Sequence, residues 1–84
     1  MNTKEDLTRL LQKYCVVGHI EAFWRRPSAA PHDRARFYAR VLFNNGQVFS
    51  CSEARISDEA SVEALVWDRL FHHVREYLNE PWSP

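Results

Sequence analysis

The chain predicts an α+β domain of order α-β-β-β-α, a three-stranded antiparallel sheet with two helices packed on one face. Three observations predict it. Apolar residues recur at helical spacing near both ends, three central segments alternate apolar with polar residues, and "NNG" stands between the last two of those segments.

"NTKEDLTRLLQKY" opens with Thr3 as the expected N-cap and with Glu5 and Asp6 in the first turn, where carboxylates suit the helix dipole. Leu7, Leu10, Leu11 and Tyr14 fall at i, i+3, i+4 and i+7, so this is an amphipathic helix. "VVGHIEAFW", 16 to 24, then reads as a half-buried strand with Ile20, Ala22 and Trp24 on one side and His19, Glu21 and Phe23 on the other. The connection "RRPSAAPHDRAR", 25 to 36, carries Pro27 and Pro31, which interrupt any regular ladder and stiffen it.

"RFYARVLF", 36 to 43, and "QVFSCSEA", 47 to 54, flank the hairpin turn. A two-residue Asn45-Gly46 loop would set Val41 against Ser50 and Leu42 against Phe49. A three-residue loop with Gly46 in the left-handed conformation sets Val41 against Phe49 and Ala39 against Cys51. The second register is expected, because a one-residue slip turns the apolar set outward. After it, Ser57 is the expected N-cap of a second helix with Asp58 and Glu59 in its first turn. Ala60, Ala64, Trp67, Phe71, Val74 and Leu78 form the expected stripe through about six turns, widened by Leu70 and Tyr77.

With 84 residues this is one domain, 1 to 84, with a core from about 4 to 78 and a tail from 79 to 84 that carries Trp82. A chain of this length buries only about 60–65% of its unfolded surface, so its core must be economical. Eleven basic and eleven acidic residues cancel, which argues against a whole-surface attraction to nucleic acid or to an anionic membrane. The charges are nonetheless segregated. Arg25, Arg26, Arg34, Arg36 and Arg40 face only Asp33 between 25 and 40, whereas from 53 to 80 seven acids outnumber Arg55, Arg69 and Arg75.

No apolar run approaches the roughly 20 residues of a membrane span, and the polar start "MNTKEDL" does not read as a signal peptide. With only Cys15 and Cys51, a cytoplasmic protein is expected. Cys15, His19, Cys51, His72 and His73 include no closely spaced metal-ligand pair, and adjacent histidines on a helix point about 100° apart. No metal or cofactor is expected. Nor is catalysis, since Cys15 with His19 lacks an orienting group and no phosphate loop, nucleophile elbow or carboxylate pair is present.

Several spacings resemble the double-stranded-RNA-binding domain, from residue 4 to about 70. "LLQKYC" is similar to that family's opening helix. "PHDRARFYARVLFNNGQVFSCSEARISDEASVEA" is similar to its central pattern, through His32, Phe37, Val41, Phe43, Gly46, Phe49 and Ala60. The resemblance implies the same fold and an RNA surface formed by the first helix, the first hairpin loop and the start of the second helix. This chain departs from the pattern at all three. Ser57, Asp58 and Ser61 stand where the family has phosphate-binding lysines, with Glu59 between them. Ala29 and Ala30 replace the loop's glycine and first proline, with one extra residue between His32 and Phe37. Lys13 takes the place of the first helix's carboxylate. An acid in place of a phosphate-facing cation turns attraction into repulsion.

Three surfaces are therefore candidates. The loop arginines Arg25, Arg26, Arg34 and Arg36, with His32, can grip phosphate or carboxylate through bidentate forks, or can be solvated charges of a hairpin connection. The outer sheet face, with Phe23, Tyr38, Leu42 and Val48 rimmed by Arg36, Arg40 and Glu21, has an interface-like composition, unless Trp82 folds back over it. The acids Asp58, Glu59 and Glu63 of the second helix either mimic nucleic-acid charge or simply keep the helix solvated. A sheet edge can also pair with a second copy. The expected function is a non-catalytic protein-binding module, with a genuine double-stranded-RNA-binding domain as the alternative. In build alone the chain resembles the small stand-alone inhibitors of phages and mobile elements, of which anti-CRISPR proteins are one class. That likeness implies docking on a host nucleic-acid-handling complex and blocking it.

Overall fold

The structure, a computed structural model, describes residues 1–29 and 33–79. Its elements are α1 (Lys4–Lys13), β1 (Gly18–Arg25), β2 (Arg36–Phe43), β3 (Val48–Ala54) and α2 (Glu59–Asn79), with the sheet in the order β1-β2-β3 and both pairings antiparallel. The helices pack on one face of this α+β sheet, as the patterning predicts. No helix among the described residues is long and apolar enough to cross a membrane.

Thr3 caps α1 as expected, and the cap is reciprocal. The backbone N–H of Asp6 donates to Thr3 Oγ1 (3.2 Å), and the Thr3 N–H donates to the Asp6 carboxylate (2.9 Å), which holds that carboxyl below its usual range. The chain leaves the helix through Cys15, whose φ of 54° lies in the left-handed region that terminates helices. Val16 N–H then reaches back to Leu11 O (2.9 Å), so regular β structure begins at Gly18 rather than at 16.

A Cβ at Gly18 would lie 3.2 Å from Val41 and 3.3 Å from Leu11. The missing side chain is therefore what lets α1 close onto the central strand. Gly46 has a φ of 90°, and the three-residue register is the one formed, with Val41 opposite Phe49 and Ala39 opposite Cys51. A two-residue loop would have lost that apolar match.

The cap of α2 corrects the sequence reading. Asp58, not Ser57, accepts the Ser61 N–H (2.9 Å) and its hydroxyl (2.7 Å), while Asp58 O accepts the first helical bond from Val62. The buried stripe is corrected too. Val62, Val66, Leu70 and Val74 face the sheet, whereas Ala60 is exposed and Ala64, Trp67 and Phe71 lie on the flank. The core joins these four to Leu7 and Leu11 of α1 and to Phe37, Ala39, Val41 and Phe43 of β2. No residue of β1 or β3 is fully buried, since α2 runs over the β2–β3 side and α1 leans against α2. Ala22 is thus exposed although it points to the helix side.

Candidate binding face

The outer face of the sheet is built by the strand alternation that buries the inner one. Register fixes four cross-strand rows. His19, Leu42 and Val48 form the first, Glu21, Arg40 and Ser50 the second, Phe23, Tyr38 and Ser52 the third, and Arg25, Arg36 and Ala54 the fourth. Arg36 opens β2, as the expected strand from 36 to 43 has it, whereas Arg25, expected in the connection, is the last residue of β1 and stands opposite it, so the loop's charge runs directly onto the sheet.

In the third row the rings of Phe23 and Tyr38 stack, with centroids 5.3 Å apart and planes 14° from parallel. Phe23 remains 51% exposed and Val48 48%, while Tyr38 and Leu42 are half-buried. In the second row Nε and Nη2 of Arg40 both donate to Oε2 of Glu21, and Nε2 of His19 lies 3.3 Å from Oε1. The Arg40 hydrogen bond is the main cause that holds the Glu21 carboxyl below its usual range. In the fourth row Arg36 Nη1 donates to Ser52 Oγ (3.0 Å), which points the guanidinium across the sheet toward β3.

At the loop end, a shallow cavity of about 230 Å³ is lined by Arg25, Asp33, Arg34, Arg36 and Ala54. Asp33 accepts the Ser28 N–H (2.7 Å), the largest cause lowering its pKa, and lies 3.6 Å from Arg25. One carboxylate thus orders the loop and offsets part of its charge. The guanidinium groups of Arg26 and Arg34 meet no carboxylate among the described residues. Of these two only Arg34 lines the cavity, and a guanidinium fork that meets no carboxylate among the described residues suits a carboxylate or phosphate of something else. His32 and Trp82 lie outside the described residues.

The acidic candidates are less available than their charge suggests. Asp58 is committed to the cap, which lowers its pKa through the Ser61 hydrogen bonds. Glu59 faces Arg55 (3.9 Å), and Glu63 is half-buried on the helix. Farther along, Asp68 is claimed by the N–H groups of Asn2, and Glu53 by Arg69.

One polar contact had no signal in the sequence. Cys51 Sγ lies 3.8 Å from His73 Nδ1, bringing β3 and α2 together. Burial pushes the Cys51 thiol up, only partly opposed by Arg69, which is the reverse of the activation a nucleophilic thiolate requires. Among the described residues, no group of three or more His, Cys, Asp or Glu side chains is placed to hold a metal ion.

Comparison of the chain with protein families, with curated proteins and with solved structures gives no match.

Proposed function

We propose that the chain is a non-catalytic protein-binding module whose outer sheet face receives an acidic protein surface. The observation that carries this reading is the exposed Phe23–Tyr38 stack lying beside the Arg25–Arg36 row. Aromatic rings that bring rigid contact area, next to arginines that supply directional donors, are the combination enriched at the centres of protein interfaces. Arg26 and Arg34 extend the basic end, where they would steer an acidic partner. Blocking of a nucleic-acid-handling complex belongs to the same proposal, as the task of the partner so bound.

Double-stranded RNA is the weaker reading. The carboxylates of Asp58 and Glu59 open α2 immediately after Arg55, whose N–H bonds to Ala35 O beside the basic loop (2.7 Å), so a phosphate reaching that end meets acids as well as arginines.

Two measurements test the proposal together. A gel-shift assay with an RNA duplex of about 20 base pairs, longer than the ~16 such a domain spans, is expected to show no shift at moderate salt. Affinity capture from the native host is expected to retain one protein that is lost with both Phe23→Ala and Arg36→Glu. Tight, salt-sensitive RNA binding abolished by Arg34→Glu with Arg36→Glu would overturn the protein reading.

A further inference from the structure

The two edges of the sheet differ in how they dispose of their backbone. Phe43 N–H donates to Gln47 O (2.8 Å), so odd-numbered residues of β3 bond to β2 and Val48, Ser50, Ser52 and Ala54 turn their N–H and C=O outward. That edge is blunted. The Glu53 side chain curls back to accept the outward N–H of Ala54 (2.9 Å), and Arg69 holds the carboxylate there (3.0 Å).

On β1 the bond from Asn44 N–H to Val17 O (3.3 Å) sets the same alternation, so Ile20, Ala22 and Trp24 direct their N–H groups to the open edge. None of these N–H groups meets an acceptor among the described residues. The strand pairs with β2 over all eight residues without a bulge, contains no proline or lysine, and exposes Ala22 where the helix layer stops short. Of the usual protections of an edge it carries only charged side chains, Glu21 and Arg25 on the outer face.

We infer that the β1 edge pairs antiparallel with β1 of a second copy, about a two-fold axis through Phe23. The sequence of the strand is complementary to itself in that register. Glu21 of one copy falls opposite Arg25 of the other, the small Ala22 falls opposite the large Trp24, and Ala22 and Trp24 exchange backbone hydrogen bonds with Trp24 and Ala22. An axis through Glu21 would set two carboxylates face to face, and one through Ala22 would set His19 against Arg25. The Phe23 register joins two three-stranded sheets into one and brings two Phe23–Tyr38 stacks side by side on the outer face. The pairing does not depend on any partner protein.

Sedimentation equilibrium of the full chain over rising concentration tests it. Wild type is expected to approach twice the chain mass of 9.9 kDa. Ala22→Pro is expected to stay at the chain mass with an unchanged far-UV circular dichroism spectrum, because the N–H it removes makes no bond within the chain. Ser50→Pro, the equivalent change on the β3 edge, is expected to remain dimeric. Should Ala22→Pro misfold, Phe23→Lys provides the second variant. It sets like charges together at the axis and is expected to weaken the dimer at least about tenfold, as like charges directly opposite repel. Wild type at the chain mass throughout overturns the inference, and so does dissociation by Ser50→Pro with Ala22→Pro still dimeric.

Discussion

Phe37, Val41 and Phe43 on one face of β2 are buried, while Tyr38 and Leu42, side chains of the same kinds on the other face, stay half-exposed. The inner residues meet a helix layer led by Val66 and Leu70. Among the described residues, the outer ones meet only their cross-strand neighbours and an ion pair. One strand therefore serves two purposes. Its inner face holds the fold together, and its outer face keeps aromatic and aliphatic surface that the described residues leave partly uncovered, which is surface an association can still bury.

The sharpest way to break this comparison is to truncate one leucine on each side. Leu70 is fully buried, so Leu70→Ala is expected to cost about 2–5 kcal/mol in urea denaturation, the range for leucines deleted from packed cores. Leu42→Ala, on the outer face, is expected to cost less than about 1.5 kcal/mol, because a half-exposed side chain loses less transfer energy and leaves no closed cavity. Equal costs would mean that the outer face is structural and the comparison false.

A smaller effect is expected from the aromatic stack. In a double-mutant cycle of Phe23→Ala and Tyr38→Ala, the coupling energy should be about 0.5–1.5 kcal/mol, as for stacked rings elsewhere. A coupling near zero would make the pair two independent rings lying on a sheet. The loss of captured partner expected for Phe23→Ala should then exceed its loss of stability, which is what separates a binding residue from a folding one.

How much of this was legible in the sequence depended on whether a local signal fixed the geometry. The β2–β3 register was legible, because Gly46 tolerates a positive φ and only one loop length sets apolar against apolar. The long β1–β2 connection offers no such constraint, so the pairing of Glu21 with Arg40 and of Arg25 with Arg36 could not be read before the strands were aligned. The phase of α2 differs from the expected one for a related reason. The helix is apolar around much of its circumference, and the bulk of Trp67 and Phe71 drew the expected stripe toward the flank. The β-branched Val62 and Val66, slimmer and stiff, are what the close helix–sheet contact accepts. Asp58 displaced Ser57 as cap because either oxygen-bearing side chain suits the position, and only the path of the backbone out of β3 decides between them.

The smallest expected effect concerns the ion pair in the middle of the outer face, and its sign follows from the direction of the pKa shift. The Arg40 hydrogen bond lowers the Glu21 carboxyl below its unfolded value, so the native state holds its proton less tightly than the unfolded chain does. The stabilisation is fully present above the unfolded pKa and disappears as pH falls through the folded one, which places the loss below about pH 4. Thermal melts of wild type should accordingly fall more steeply below that pH than melts of Glu21→Gln, with the two curves converging in acid. Because the pair is exposed to water, the gap at neutral pH should be small and should shrink further as salt is added. A gap that survives high salt would show that Glu21 and Arg40 are shielded from solvent, and hence that a partner surface already covers the outer face.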